Sequence, residues 1–184
     1  MLAAAAQLFA TRGYTATSMK DVAAACGVSK ATLYHYVLDK HELLVQITRG
    51  HVARLEALVA LVQARSLQPS AQLRELILQF MQAYAHAQHE HRVLTEDVKF
   101  LAEAERLAVL DGQRRVVAAF ADAIGALRPA LRGQNLQKPL AMLLFGMINW
   151  TFTWLREGGA LTHASLAPLV VELFLGGLMA VEPA

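Results

Sequence analysis

The stretch Ser18-Met19-Lys20-Asp21-Val22-Ala23-Ala24-Ala25-Cys26-Gly27-Val28-Ser29-Lys30-Ala31-Thr32-Leu33-Tyr34-His35-Tyr36 decides the fold class of this chain. Its first half places Met19, Val22, Ala23 and Cys26 at i, i+3, i+4 and i+7, the apolar stripe of a short amphipathic helix. Ser18 stands at the N-cap, and Asp21 three residues on completes a capping box. Gly27 breaks the chain, and Ser29 caps a further helix of about two turns, Lys30 to Tyr36. Leu33 and Tyr36 share the inward side of that helix. Lys30, Ala31, Tyr34 and His35 share the outward side, which has nothing to pack on. Two short helices joined by Gly27-Val28-Ser29 have the length and chemistry of a helix-turn-helix. A plain helical hairpin inside a core is the competing reading, and an outward face of Lys, Tyr and His on so short a helix argues against it.

If the second of these helices enters a DNA groove, its first turns reach base edges. Lys30 can then meet guanine or phosphate, Tyr34 and His35 can meet bases, thymine methyls or phosphate, and Thr32 is placed for a backbone oxygen. The Ser18 hydroxyl and the amides after it offer a phosphate site. Lys40 can anchor the opposite strand.

Outward from this core, every segment reads as helix. Leu2 to Arg12 carries Leu2, Ala5, Leu8 and Phe9 on one face, and Gly13 closes it. Asp39 caps a long helix from about Lys40 to Arg65, with Leu44, Ile47, Leu55, Leu58 and Val62 inward. Further helices are predicted from Ala71 to about His89, about Arg92 to Leu101, and about Ala104 to Leu127. After the loop Arg128–Lys138, Pro139 suits the first turn of a helix running to Arg156, ended by Gly158 and Gly159. The last helix runs from about Leu166 to Val181 with Ser165 as its cap, which keeps Pro168 in the tolerant first turn. The expected fold class is all-α with about nine helices. A helix-turn-helix head over residues 1–45 precedes a helical body over 46–184.

The order and spacing of Ala4-Ala5-Ala6-Gln7-Leu8-Phe9-Ala10-Thr11-Arg12-Gly13-Tyr14, Thr17 to Ala23, Cys26 to Tyr36 and Asp39-Lys40-His41-Glu42-Leu43-Leu44 resemble the head of the TetR/AcrR family of bacterial regulators. The resemblance implies DNA contacts at Ser18, Lys30, Ala31, Thr32, Tyr34, His35 and Lys40. Cys26 stands where the family usually has Ala. The chain also begins close to its first helix, where family members often carry a basic extension.

The resemblance further implies an Ω-shaped homodimer whose last two long helices form a four-helix bundle with those of the partner. Both helices are apolar over more than one stripe, which agrees. Leu169, Leu173, Phe174, Gly177 and Leu178 are the expected interface residues. A ligand cavity is expected among the body helices, lined by Phe80, Tyr84, Phe100, Phe120, Phe145, Asn149 and Trp150. Asn149 interrupts an apolar helix, and a buried amide needs a partner, either a ligand or a neighbouring helix. Residues Gly146 to Trp154 and Phe174 to Leu178 resemble a subgroup controlling fatty-acid, sterol or aromatic-acid degradation, which implies an acyl-coenzyme A thioester or related hydrophobic acid as effector. Arg106, Arg114 and Arg115 are candidates for its phosphates, or simply a solvated helix face.

Composition limits the rivals. The 184 residues are 55% hydrophobic and carry a formal charge of +2, so any basic patch is diluted by a neutral body. The lone Cys26 excludes an internal disulfide and fits a reducing cytoplasm. No secretory signal is read, and the apolar stretch Leu140 to Leu155 is too short and too interrupted for a membrane span. His86, His89 and His91, with Glu90 and Glu96 nearby, raise a metal-dependent enzyme as one rival, but three or four convergent ligands are needed. No cofactor and no catalytic motif is read. The other rival is a ligand-blind DNA-binding or interaction module with a solid body.

Overall fold

The computed structural model describes residues 1–155 and 159–182. Among them are ten α-helices and no strand. In chain order these are α1 (Leu2–Arg12), α2 (Met19–Ala25), α3 (Lys30–Tyr34), α4 (Lys40–Ala64), α5 (Pro69–His86), α6 (Gln88–Glu96), α7 (Glu103–Leu127), α8 (Gln137–Asn149), α9 (Thr151–Trp154) and α10 (His163–Ala180). Short 3-10 turns lie at Val98–Phe100 and Pro129–Gln134. The all-helical reading therefore holds.

The chain divides into two compact units, Met1–Arg54 with Ala87–Asp111, and Leu55–His86 with Gly112–Ala184. The first, the head, is larger than the helix-turn-helix. Its core joins Phe9, Val22, Leu33 and Leu44 to Val93 and Val109, and α6 packs along α1. The three N-terminal helices are too short to bury an apolar core alone, so α6 and the start of α7 complete it. In the second unit, the body, α5 packs along α10, and α7 and α8 close the core around Phe80, Phe120 and Phe145.

Local chemistry accounts for the helix ends. Gly13 at φ 91 and Gly27 at φ 67 occupy the left-handed region that other residues avoid, which is why α1 and α2 stop there. Pro69 opens α5 at its first position, where a missing N–H costs nothing.

Several helix boundaries differ from the sequence reading, α6 most of all: predicted from about Arg92 to Leu101, it spans Gln88–Glu96. The helix predicted to reach His89 ends at His86, and α6 begins at Gln88. The single helix predicted from Pro139 to Arg156 stops at Asn149 and restarts at Thr151. There the Thr151 hydroxyl donates to the Ile148 carbonyl (2.8 Å) and the Thr153 hydroxyl to the Trp150 carbonyl (2.7 Å), local bonds that compete with the helical ladder. Its predicted end at Arg156 and Gly158 lies outside the described residues. The last helix starts earlier than read. Thr162, not Ser165, is the N-cap, and Ser165 returns the bond as the third residue of a capping box. Pro168 therefore sits inside α10, beyond the first turn.

The C-terminal end of α10 is tied down by Arg128. Its guanidinium donates to the carbonyls of Leu178 (2.8 Å), Met179 (2.6 Å) and Val181 (2.8 Å). A cation on the last carbonyls answers both their missing partners and the negative end of the helix dipole. Among the described residues α10 alone is long and apolar enough to cross a membrane, and only a third of it is buried in the chain's own core.

Candidate nucleic-acid interface and effector pocket

Ser18 caps α2 through a capping box. Its amide donates to the Asp21 carboxylate (2.8 Å), and its side-chain oxygen accepts from the Asp21 amide (3.2 Å). The hydroxyl also donates to that carboxylate, and the bond holds Asp21 below the usual carboxylate range. The Ser18 hydroxyl proton is thus committed within the turn. Ser29 caps α3 in the same manner, accepting from the Thr32 amide (3.0 Å) and meeting the Thr32 hydroxyl at 2.8 Å.

On α3, Lys30, Ala31, Thr32, Tyr34 and His35 are all exposed, and the Lys30 ammonium lies 5.6 Å from the centre of the Tyr34 ring. Leu33 is buried, as its place on the inward side requires. Tyr36 is not: it is 71% exposed, and Val37 fills the inward position instead. The chain keeps one more helical turn after Tyr34, with the Val37 amide on the Leu33 carbonyl (3.2 Å), so the partner of Leu33 lies at i+4 rather than i+3. Both Tyr36 and Val37 lie at helical spacing from Leu33, and the packing selects Val37.

Lys40 has a different role from a free anchor. Its ammonium donates to the Tyr14 carbonyl (2.8 Å) and the Thr15 carbonyl (3.4 Å), and lies 4.4 Å from the Tyr14 ring centre. It ties the α1–α2 turn to the start of α4, with a cation–π contact added. Phe9 meets Tyr14 edge-on (5.2 Å), and Phe100 stacks on its other side (5.2 Å). Phe100 is therefore a head residue on the 3-10 turn after α6. The expectation that it lines a body cavity fails because residues 87–111 fold into the head.

Two buried histidines face each other within the head. Nε2 of His51 on α4 lies 3.4 Å from Nδ1 of His91 on α6. Burial first, then the neighbouring His91 and Arg54, push the His51 imidazole down to about 3. Below the ordinary histidine value of 6.5 the unfolded chain takes up a proton that the folded chain refuses. Stability is therefore expected to fall as pH drops from 6.5 toward 3, at no more than about 1.4 kcal/mol per pH unit from this group. Melting of the wild type and of His51→Gln between pH 7 and 4 checks this; equal slopes would remove His51 as the cause.

The remaining histidines do not converge with these. His86 ends α5 in the body, its Nδ1 on the Gln82 carbonyl (2.8 Å), and His89 is half-buried on α6. No group of three or more His, Cys, Asp or Glu that could hold a metal occurs among the described residues.

In the body, four of the aromatics expected around a cavity come together. Phe80, Phe120 and Phe145 pack edge-to-face, with ring centres 4.8 Å apart for Phe80–Phe120 and 4.9 Å for Phe120–Phe145. Tyr84 meets Phe80 edge-on at 6.1 Å, and its hydroxyl donates to Oδ1 of Asn149 (3.0 Å). Burial raises the Tyr84 phenol, so it stays protonated and able to donate. Asn149 thus bonds a neighbouring helix. Trp150 is exposed and stacked on Phe152 (6.0 Å), away from this cluster's buried side.

A separate open cleft of about 320 Å³ runs between the body portions of α4 and α7. Val59 and Val116 line it, with Gln63 and Asp122 at its walls. Arg115 lines it too, held by Glu56 through Nε at 2.5 Å. Arg114 is exposed on the same helix, while Arg106 belongs to the head.

The outer face of α10 is apolar and bare. Leu169 is 60% and Leu173 69% exposed, with Gly176 and Gly177 beside them. On α8, Met142, Leu143 and Gly146 are exposed as well. Phe174 (8% exposed) and Leu178 (2%) turn inward and belong to the body core. Their expected place at an interface is corrected: i and i+4 from Val170 put them on the buried stripe of α10, apart from the exposed Leu169 and Leu173.

Comparisons with known proteins agree with this arrangement. The family model described as "Bacterial regulatory proteins, tetR family" matches residues 1–47, and "Tetracyclin repressor-like, C-terminal domain" matches residues 66–178. The HTH-type transcriptional repressor KstR2 of Rhodococcus jostii is 27% identical over 184 residues, covering 97% of this chain and 89% of the relative. A TetR-family transcriptional regulator from Bordetella parapertussis superposes with a TM-score of 0.89 at 35% identity, covering 100% of this chain and 96% of the other. AibR, solved in complex with isovaleryl coenzyme A and operator DNA, superposes with a TM-score of 0.78 at 26% identity, covering 94% of each. With both family models matched in order, the chain belongs to the TetR family of bacterial transcriptional regulators and is not an enzyme.

Proposed function

We propose that this regulator is a homodimeric repressor that binds a palindromic operator and is released by a small hydrophobic effector. The carrying observation is the outward face of α3, where Lys30, Ala31, Tyr34 and His35 are exposed on a helix whose other side is buried. Tyr36 adds a further exposed phenol beside them, suited to a phosphate oxygen. Lys40 serves this face indirectly, by fixing the turn that carries Ser18. Repression is favoured over activation by the likeness to KstR2, which covers nearly the whole chain.

Tyr34→Ala is the direct test. The ring is exposed, so its loss leaves the fold intact. Operator affinity at fixed salt is expected to fall about 10- to 100-fold, within the range of losing one good base contact and its neighbours. Unchanged affinity with an unchanged melting temperature would remove α3 as the reading helix.

For the effector we favour an acyl-coenzyme A thioester or the related hydrophobic acid. AibR, similar over 94% of the chain, was solved with such a thioester. The aromatic cluster of Phe80, Phe120 and Phe145, with the Tyr84–Asn149 pair at its edge, supplies an apolar site with one polar mark. Arg115 and Arg114 on α7 are the cations we assign to the effector's phosphates, and each would have to exchange a present partner for them, Glu56 in the case of Arg115. Release follows only if the effector binds the non-DNA conformation better. Helices α4 and α7 each run from one unit into the other, which gives such a change a continuous route. Short- and long-chain acyl-coenzyme A esters are expected to raise the melting temperature, by about 2.7 kcal/mol of stabilisation at a hundred times Kd. Free acids that shift melting while every thioester fails would reassign the effector.

A further inference from the structure

Base recognition depends on which donors and acceptors a reading surface carries. Hydrogen bonds identify three of the bases: Arg or Lys two-pronged to guanine, Asn or Gln two-pronged to adenine, and Asp or Glu accepting from the amino group of cytosine. Thymine is marked in the major groove by its 5-methyl group, which takes apolar contact. From Val28 to Leu38 the chain has no Arg, Asn, Gln, Asp or Glu. The Thr32 hydroxyl is engaged with Ser29, and the residue is exposed. Lys30 is the lone permanent cation of the stretch, and it sits over the Tyr34 ring. Among the other exposed groups the His35 imidazole and the Tyr34 and Tyr36 hydroxyls are polar, and the apolar surface comes from Val28, the Ala31 methyl, the Tyr34 and Tyr36 rings, and Leu38, which is 81% exposed. Isolated apolar side chains on a surface need no explanation, but five within eleven residues on the DNA-facing segment do.

We infer that the head reads its operator chiefly through thymine methyl groups packed against Ala31, Thr32 and Tyr34, with Lys30 supplying a guanine contact on the same face. The inference rests on α3 being the reading helix and adds which bases it selects. Adenine and cytosine are then chosen only as partners of thymine and guanine. Because the discriminating group is a methyl rather than a hydrogen bond, its removal costs only the burial of one carbon, about fourfold in affinity for each methyl. Lys30→Arg should keep the guanine preference and Lys30→Ala should lose it.

The experiment uses the full chain. Duplexes selected from a random DNA library give a consensus, and each thymidine in it is then replaced in turn by deoxyuridine, which lacks only the methyl. Affinities are read by fluorescence anisotropy at one salt concentration. At least one thymidine per half-site is expected to lose about fourfold on replacement. That loss is expected to vanish in Ala31→Gly or in Tyr34→Ala, each checked for folding by its melting curve. A consensus in which every deoxyuridine duplex binds within twofold of its parent overturns the inference and leaves α3 as the reading helix. A loss that persists undiminished in both variants also overturns it, by placing the methyl contact elsewhere. A library that yields no consensus overturns the operator reading itself, and this inference with it.

Discussion

Leu173→Glu is expected to turn the proposed dimer into a monomer and to lower operator affinity by about a hundredfold or more, because one head would then bind one half-site instead of two linked ones. Leu173 is the most exposed apolar residue of α10, one turn beyond Leu169 and beside Gly176 and Gly177, whose small size permits close helix approach. A helix two-thirds unburied and yet apolar enough to enter a membrane needs a cover, and in the proposed dimer a second copy of α8 and α10 would supply one of matching chemistry. A carboxylate in the centre of that seam would be buried without a partner. In the single chain the same side chain points to water, so its replacement leaves the protomer's own core untouched. Light scattering gives the mass and anisotropy gives the affinity. A variant that remains dimeric at micromolar concentration would move the interface off this face of α10.

Phe120→Ala is expected to lower stability by about 3–5 kcal/mol, the range for a fully buried ring replaced by a methyl. Phe120 is wholly buried and stands between Phe80 and Phe145, touching both edge-on. Its loss removes two aromatic contacts and opens a space that rigid α5 and α8 cannot fully close. The vacated volume would be lined by apolar groups and by the Tyr84–Asn149 edge, so a hydrophobic acid or acyl thioester is expected to recover part of the lost melting temperature. Denaturant unfolding measures the loss. A loss below about 1 kcal/mol would mean that this ring is loosely packed and that the cluster opens without mutation.

The head was legible at the level of named residues because its determinants are local. Ser18 with Asp21, Gly27, and Ser29 each act within four residues, and capping and left-handed turns depend on little else. The same local logic misplaced Tyr36, since both Tyr36 and Val37 satisfy helical spacing from Leu33 and only packing chooses between them. Nor does local pattern show the partner of Lys40, since the Tyr14 carbonyl that holds it lies 26 residues away in sequence.

Amino-acid sequence by itself determined the helical class, the helix-turn-helix, the outward face of α3 and the family, all of which follow from periodicity, caps and a short ordered motif. Tertiary structure alone decided that α6 and Phe100 belong with the head, that Asn149 answers Tyr84, that Arg128 closes α10, and that Phe174 and Leu178 face the core while Leu169 and Leu173 face outward. The physical reason is one of degeneracy. A helix that is apolar on several stripes carries no internal record of which stripe meets its own protomer, so only the neighbour it packs against assigns inside and outside.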